Sequence, residues 1–122
     1  MEVRSREDAA PFTTADDSTI RVLLDARLGG ARNQSLAEAA LAAGQATDRH
    51  YHADTEELYV LLAGTGEIEV DGECRGVVPG DAVLIPPRAW HQIRAGDEEL
   101  RFLCCCAPPY RDEDTFFEAH GG

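Results

Sequence analysis

Turn-forming residues punctuate the second half of this chain at short, regular intervals, and that spacing restricts its fold more than any other feature. Asp71-Gly72 separates GEIEV from ECRGVV and predicts a tight hairpin turn. Pro79-Gly80-Asp81 precedes AVLIP, and Ala95-Gly96-Asp97 divides WHQIR from ELRFLCCC. Strands of about five to eight residues between such turns predict an all-β sandwich or barrel. The 122 residues are enough for one domain with a real core and too few for a second. There is no internal repeat and no low-complexity segment. The expected organisation is a polar, acidic N-terminal arm over 1–17, a barrel domain over 18–117 and a flexible tail over 118–122 that ends in two glycines.

Charge narrows the partners. Asp and Glu number 23 against 11 Lys and Arg, a net charge of −12, which opposes binding to phosphate backbones and anionic lipid. Neither nucleic acid nor membrane is an expected partner. No apolar run approaches the roughly 18 residues of a membrane span, and the opening MEVRSREDAAPF has mixed charge and no apolar leader segment. A cytoplasmic location is expected. The four cysteines fit that setting as reduced thiols: Cys104, Cys105 and Cys106 are consecutive, which makes pairing among them difficult, and Cys74 cannot staple all three. If Arg101 faces water, strand alternation turns Phe102, Cys104 and Cys106 toward the core, where the two thiols act as small hydrophobes that could touch a cavity.

One segment resists an all-β reading. SLAEAALAAG, residues 35 to 44, is alanine-rich and opens with Ser35 and Glu38 at capping-box spacing, so propensity by itself predicts a helix. Gly44 ends it after ten residues, and it leads straight toward a pair of histidines.

Those histidines open the stretch HYHADTEELYVLLAGTG, residues 50 to 66. On an extended strand His50 and His52 project from the same face with Cα atoms about 6.5 to 7 Å apart. Two imidazoles so placed can converge on one ion, with metal–nitrogen distances of about 2.0 to 2.1 Å for zinc. Glu57 lies five residues beyond His52, the wrong parity for an unbroken strand. Either Glu56 is the acidic ligand, or Ala53-Asp54-Thr55 forms a turn or bulge that resets the alternation, as its composition favours. From Glu57 onward, parity carries Tyr59 and Leu61 to the side of the carboxylate. His91, after GDAVLIPPRAW, is the third strand histidine, while His120 lies in the tail.

The spacings resemble the two motifs of the cupin superfamily. Gly44, His50, His52, Glu57 and Gly64 meet every position of the first; Gly80, Pro86 and His91 fit the second, with Arg88 in place of a glycine and Ala95 in place of an asparagine. The resemblance spans about residues 44 to 95. It implies a single six- to eight-stranded jelly-roll barrel that holds one divalent transition metal through His50, His52, Glu57 and His91. It also implies that SLAEAALAAG is a strand entering the barrel, because tertiary context can override propensity. A homodimer is implied as well, formed through the sheets with exchange of an N-terminal strand, a role for which STIRVLLDAR, residues 18 to 27, has the strand-forming residues.

Folds of this kind carry dioxygenases, isomerases, lyases, decarboxylases and binding or sensing domains, so the reaction must be read from the site. Three imidazoles and a carboxylate leave one or two positions for water, dioxygen or a chelating substrate, and Fe, Mn, Ni, Cu and Zn all suit them. The expectation is a metal-dependent enzyme acting on a small, oxygen-rich organic substrate, with dioxygenase-like chemistry placed ahead of redox-neutral isomerase or lyase chemistry. A non-catalytic binding or sensing module is the further alternative. Tyr59 is the candidate base, since in similar lyases a tyrosine at this offset abstracts a proton; its plainer role is to fill the barrel. Arg88 is the second candidate, as a clamp for a carboxylate or phosphate, against the plainer reading of a solvated turn residue. Where the family's glycine needs a positive φ, an arginine costs about 1 to 2 kcal/mol. Trp90 alternates against His91 and is expected to face away from the metal.

Overall fold

A computed structural model describes residues 1–14 and 18–119 of the chain. Residues 15–17 of the arm and residues 120–122 of the tail, His120 included, lie outside the described residues. Eleven strands are present among the described residues: β1 (Phe12–Thr13), β2 (Thr19–Leu24), β3 (Ser35–Leu41), β4 (His50–His52), β5 (Glu56–Ala63), β6 (Gly66–Val70), β7 (Glu73–Val77), β8 (Ala82–Ile85), β9 (His91–Ala95), β10 (Leu100–Ala107) and β11 (Thr115–Phe117). They form a six-stranded sheet in the order β1-β2-β3-β10-β5-β8 and a five-stranded sheet in the order β11-β4-β9-β6-β7. Every ladder is antiparallel, so the architecture is the all-β jelly roll that the turn spacing and the motifs predict. No helix among the described residues is long and apolar enough to cross a membrane.

Strand period decides which side chains meet. Along β5, Glu57, Tyr59 and Leu61 are buried, while Glu56, Leu58 and Leu62 are exposed. Along β10, Leu100, Phe102 and Cys106 are buried and Arg101 and Leu103 are half-buried on the other face. The registers Leu61↔Phe102, Ala39↔Phe102 and Leu41↔Leu100 build the apolar centre, to which the second sheet adds Ile68 and Ile93. In the opposite direction the inward series becomes polar, through Tyr59↔Cys104 to Glu57↔Cys106. Apolar fill therefore gives way to chemistry along a single strand.

The alanine-rich segment is strand β3, against its helical propensity. It lies between β2 and β10 and is hydrogen-bonded on both sides. Its small side chains fit opposite larger ones: Ala39 is 1% exposed across from Phe102. A helix there would leave the edge of β10 that faces away from β5 unpaired along its whole length, a cost that exceeds a few tenths of a kcal/mol per residue of propensity. On the outer face Glu38 takes a 2.8 Å hydrogen bond from Arg6 Nε and pairs with Arg101 at 3.4 Å, which ties the N-terminal arm to the sheet. Burial alone would push the Glu38 carboxyl up, but the Arg6 bond and the two positive charges hold it below the usual carboxylate range.

The parity question at Glu57 is settled by topology. β4 belongs to one sheet and β5 to the other, so Ala53-Asp54-Thr55 does not continue a strand but carries the chain across. The buried Asp114 pins this crossing: its carboxylate accepts from Asp54 N (2.9 Å) and Thr55 N (3.2 Å), and its carbonyl accepts from Ala53 N (3.0 Å). Thr55 Oγ1 adds a 2.9 Å bond to the Pro108 carbonyl. Asp114→Ala strips the carboxylate from buried amides and is expected to cost about 2 kcal/mol or more, read as a lower urea midpoint at unchanged slope. An unchanged midpoint would show that the crossing holds without it.

Candidate metal centre

His50 and His52 come from β4, His91 from the adjacent β9, and Glu57 from β5 in the facing sheet. His50 and His91 are register partners, with ring centroids 4.2 Å apart. His52 lies 5.1 Å from His50 and 5.6 Å from His91 on the same measure. None of the four residues is more than 4% exposed. One candidate ligand atom from each lies within 4.8 Å of all the others. Donors about 2.1 Å from a common ion are at most about 4.2 Å apart, so closure needs shifts of only a few tenths of an ångström.

Hydrogen bonds fix how the imidazoles face. His50 Nδ1 meets the Asp48 carbonyl at 2.7 Å and His91 Nδ1 meets the Ala89 carbonyl at 3.0 Å. A carbonyl only accepts, so both nitrogens carry protons. His52 Nδ1 meets Thr115 Oγ1 at 3.0 Å, and that hydroxyl already donates to the Arg111 carbonyl at 2.9 Å, so it accepts from His52. With Nδ1 committed in this way, Nε2 is the nitrogen that each of the three rings offers to the centre. Glu57 Oε1 lies 3.2 Å from His52 Nε2 and 3.5 Å from His91 Nε2, yet Oε1 and His91 Nε2 are both buried without a hydrogen-bond partner. Acceptors that converge in a water-excluded interior are stable around a cation. The donor set, three nitrogens and one carboxylate oxygen, fits a divalent transition metal.

Burial acts to raise the Glu57 carboxyl; positive charge at the point shared with His52 and His91, whether a proton on an imidazole or an ion in its place, outweighs this and holds it well below the usual carboxylate range. Its second oxygen is also held: Cys106 Sγ donates to Glu57 Oε2 at 3.2 Å. Burial pushes the Cys106 thiol far up, and the neighbouring Glu57 charge pushes it further, so the sulfur keeps the proton that it donates. Oε2 is thereby occupied, and Oε1 is the oxygen turned to the imidazoles.

Outward-facing residues hold β4 in this orientation. Tyr51 stacks on Phe116 (5.1 Å, 19° between planes) and meets Trp90 edge-on at 4.7 Å. Arg49 sits over the Trp90 ring at 5.3 Å and forms a two-pronged ion pair with Glu69 at 2.6 and 3.2 Å. Trp90 thus faces away from the histidines, as alternation predicts.

Tyr59 is 3% exposed and lines the cavity beside Glu57, its ring 4.7 Å from Phe102 and 6.2 Å from His91. Cys104 and Cys106 line the same cavity. Arg88 stands apart. It occupies the left-handed region at φ 68, the conformation suited to the glycine it replaces, and its amide donates to the His52 carbonyl at 2.7 Å. Its side chain is exposed and is not among the residues lining the cavity.

Sequence reasoning placed Cys106 on the inner face but missed its bond to Glu57, and it missed Asp48, Ala89, Asp114 and Thr115. Asp48 and Ala89 carry a local signal, since each lies two residues before the histidine it orients. Thr115 acts 63 residues from His52 and carries none.

The chain can now be set beside known proteins. Residues 37–106 match the family described as a cupin domain. Over 106 residues the chain is 42% identical to an uncharacterized protein of Methanocaldococcus jannaschii, covering 86% of this chain and 85% of that one. The polyketide cyclase RemF from Streptomyces resistomycificus shares the fold with a TM-score of 0.77 at 24% identity, covering 93% of this chain and 89% of that one. The Streptomyces nucleoside dehydratase Pac13 does so with a TM-score of 0.81 at 12% identity, covering 97% and 91%. At these identities the two structures speak for the fold and not for the reaction.

Cys106→Ala is expected to weaken zinc binding by about tenfold to a hundredfold and to shift the visible bands of the cobalt-loaded protein, with Cys106→Ser recovering most of both. Equal affinities for all three would show that Glu57 is positioned without the thiol.

Proposed function

The chain belongs to the cupin family, and we propose that it is a metal-dependent enzyme performing redox-neutral proton transfer on a small organic substrate held through its oxygen atoms. The observation that carries this reading is the convergence of His50, His52, Glu57 and His91 within 4.8 Å, beside a cavity whose wall includes Tyr59. A divalent ion held there, whether Fe, Mn, Ni, Cu or Zn, would supply the positive charge that polarises a substrate oxygen and acidifies the neighbouring C–H.

The protein's own groups divide the remaining work. The Nδ1 bonds of the three imidazoles keep their Nε2 lone pairs aimed at one point. Glu57 is committed to that point and to Cys106, so it is not the base. Tyr59 Oη takes or returns the proton, with the ring held by Phe102. Redox-neutral chemistry is placed ahead of oxygen chemistry because Tyr59, a side chain able to carry a proton, lines the cavity beside Glu57.

Two measurements test the proposal together. Metal analysis of protein from its native source is expected to give about one ion per chain, and turnover is expected to persist without dioxygen. Tyr59→Phe should then lower turnover by roughly 10² to 10⁴ at unchanged metal content. Dioxygen consumption with iron or copper would move the assignment to a dioxygenase. A ligand recovered unchanged after long incubation with loaded protein would make the chain a binding module.

The same reading extends to assembly. Leu58, Leu62 and Leu84 are 42%, 39% and 56% exposed on the outer face of the six-stranded sheet, an apolar surface suited to a second copy of the chain. A homodimer in the reducing cytoplasm, its cysteines reduced, is the proposed state. Light scattering should give twice 13.3 kDa, and Leu84→Asp should shift it toward one chain; a single-chain mass for the unmodified protein would remove the dimer.

A further inference from the structure

The cavity beside the four ligands has a volume of about 1030 Å³, at the upper end for a small-molecule site. Resting on the metal-dependent reading above, we infer that the substrate is a neutral molecule with a flat, largely apolar body that presents its chelating oxygens at one end. Sugar acids, phosphate esters and other multiply charged anions are then the wrong class.

The walls carry the inference. Away from the ligands they are built from Phe12, Ile20, Val22, Leu36, Ala39 and Phe102, supplied by β1, β2, β3 and β10. The remaining inner groups are hydroxyls and thiols, such as Ser18, Ser35, Tyr59 and Cys104, which carry no positive charge. Among the described residues, the cations lining the cavity are Arg27 and Arg111, both exposed at its rim. Asp25, Asp112 and Glu113 accompany them there, and Arg111 pairs with Asp54 at 3.6 Å. A phosphate or second carboxylate carried past this rim would lose its water against hydrocarbon with no counter-charge beyond the metal point. The net charge of −12 opposes its approach as well. An apolar ring system meets the opposite conditions, because each buried ring gains from leaving water. Facing sheets stack about 10 Å apart, which favours a flat body over a bulky one.

The test uses zinc-loaded protein and three probes: catechol, a naphthalenediol with the same vicinal hydroxyls on a second fused ring, and phosphogluconate. The two diols offer the same pair of chelating oxygens and are uncharged at neutral pH, so the change in their difference when the cavity is filled reads the walls. Binding is followed by naphthalene fluorescence, with catechol and phosphogluconate measured by competition. The naphthalenediol is expected to bind about tenfold more tightly than catechol, with phosphogluconate failing to compete at millimolar concentration. Ala37→Trp, which fills the cavity, should erase the preference while zinc content stays at one ion per chain; Val22→Trp serves as the second variant should the first fail to fold. Equal affinity for the two diols, or competition by phosphogluconate, overturns the substrate class and leaves the metal centre standing. Failure to take up zinc or any other divalent ion overturns the metal-dependent reading, and this inference with it.

Discussion

Four buried hydrogen-bond acceptors converge at the end of a cavity, and the rest of the molecule is arranged to hold them there. Three imidazole lone pairs and one carboxylate oxygen repel one another unless positive charge lies among them. The fold resists that repulsion by anchoring each group from behind. Two backbone carbonyls and a threonine hydroxyl restrain the rings, and the Cys106 thiol restrains the far oxygen of Glu57. These anchors come from β10 in one sheet, from β11 in the other and from the loops that enter β4 and β9, so the centre exists only when the barrel is closed.

Closure has a direction along the strands. On β5 and β10 the inward residues pass from leucine and phenylalanine to tyrosine, cysteine and glutamate. The apolar end supplies most of the driving force for burial, and the polar end uses the rigidity this provides. The cavity opens where the apolar fill stops, which places Tyr59 between packed hydrocarbon and the metal ligands.

Few cations serve this acidic chain, and several of them work structurally. Arg6 and Arg101 hold the buried Glu38 and bind the N-terminal arm to the sheet, while Arg49 joins Glu69 and covers Trp90 behind the histidine strand. The arginines that reach the cavity remain at its rim. The interior therefore presents one concentrated point of polarity in largely apolar surroundings, a division that suits a substrate gripped at one end.

Much of this could be read in the chain itself. Period-2 alternation put His50 beside His52, placed Tyr59 with Glu57 and turned Phe102, Cys104 and Cys106 inward, because side-chain direction on a strand is a local property. The turn dipeptides gave the β class for the same reason. Other features depended on contacts between residues distant in sequence. Propensity favoured a helix for SLAEAALAAG until β2 and β10 bracketed it, and the parity of Glu57 made sense only once β4 and β5 lay in different sheets. Arg88 had the chemistry of an anion clamp, yet the fold left it on an exposed turn. The sequence determined which residues could ligate and which way each would point along its own strand. Tertiary structure alone decided that they meet, that Thr115 and Cys106 orient them and that the space beside them is largely apolar, since these follow from strand pairing across 41 to 63 residues.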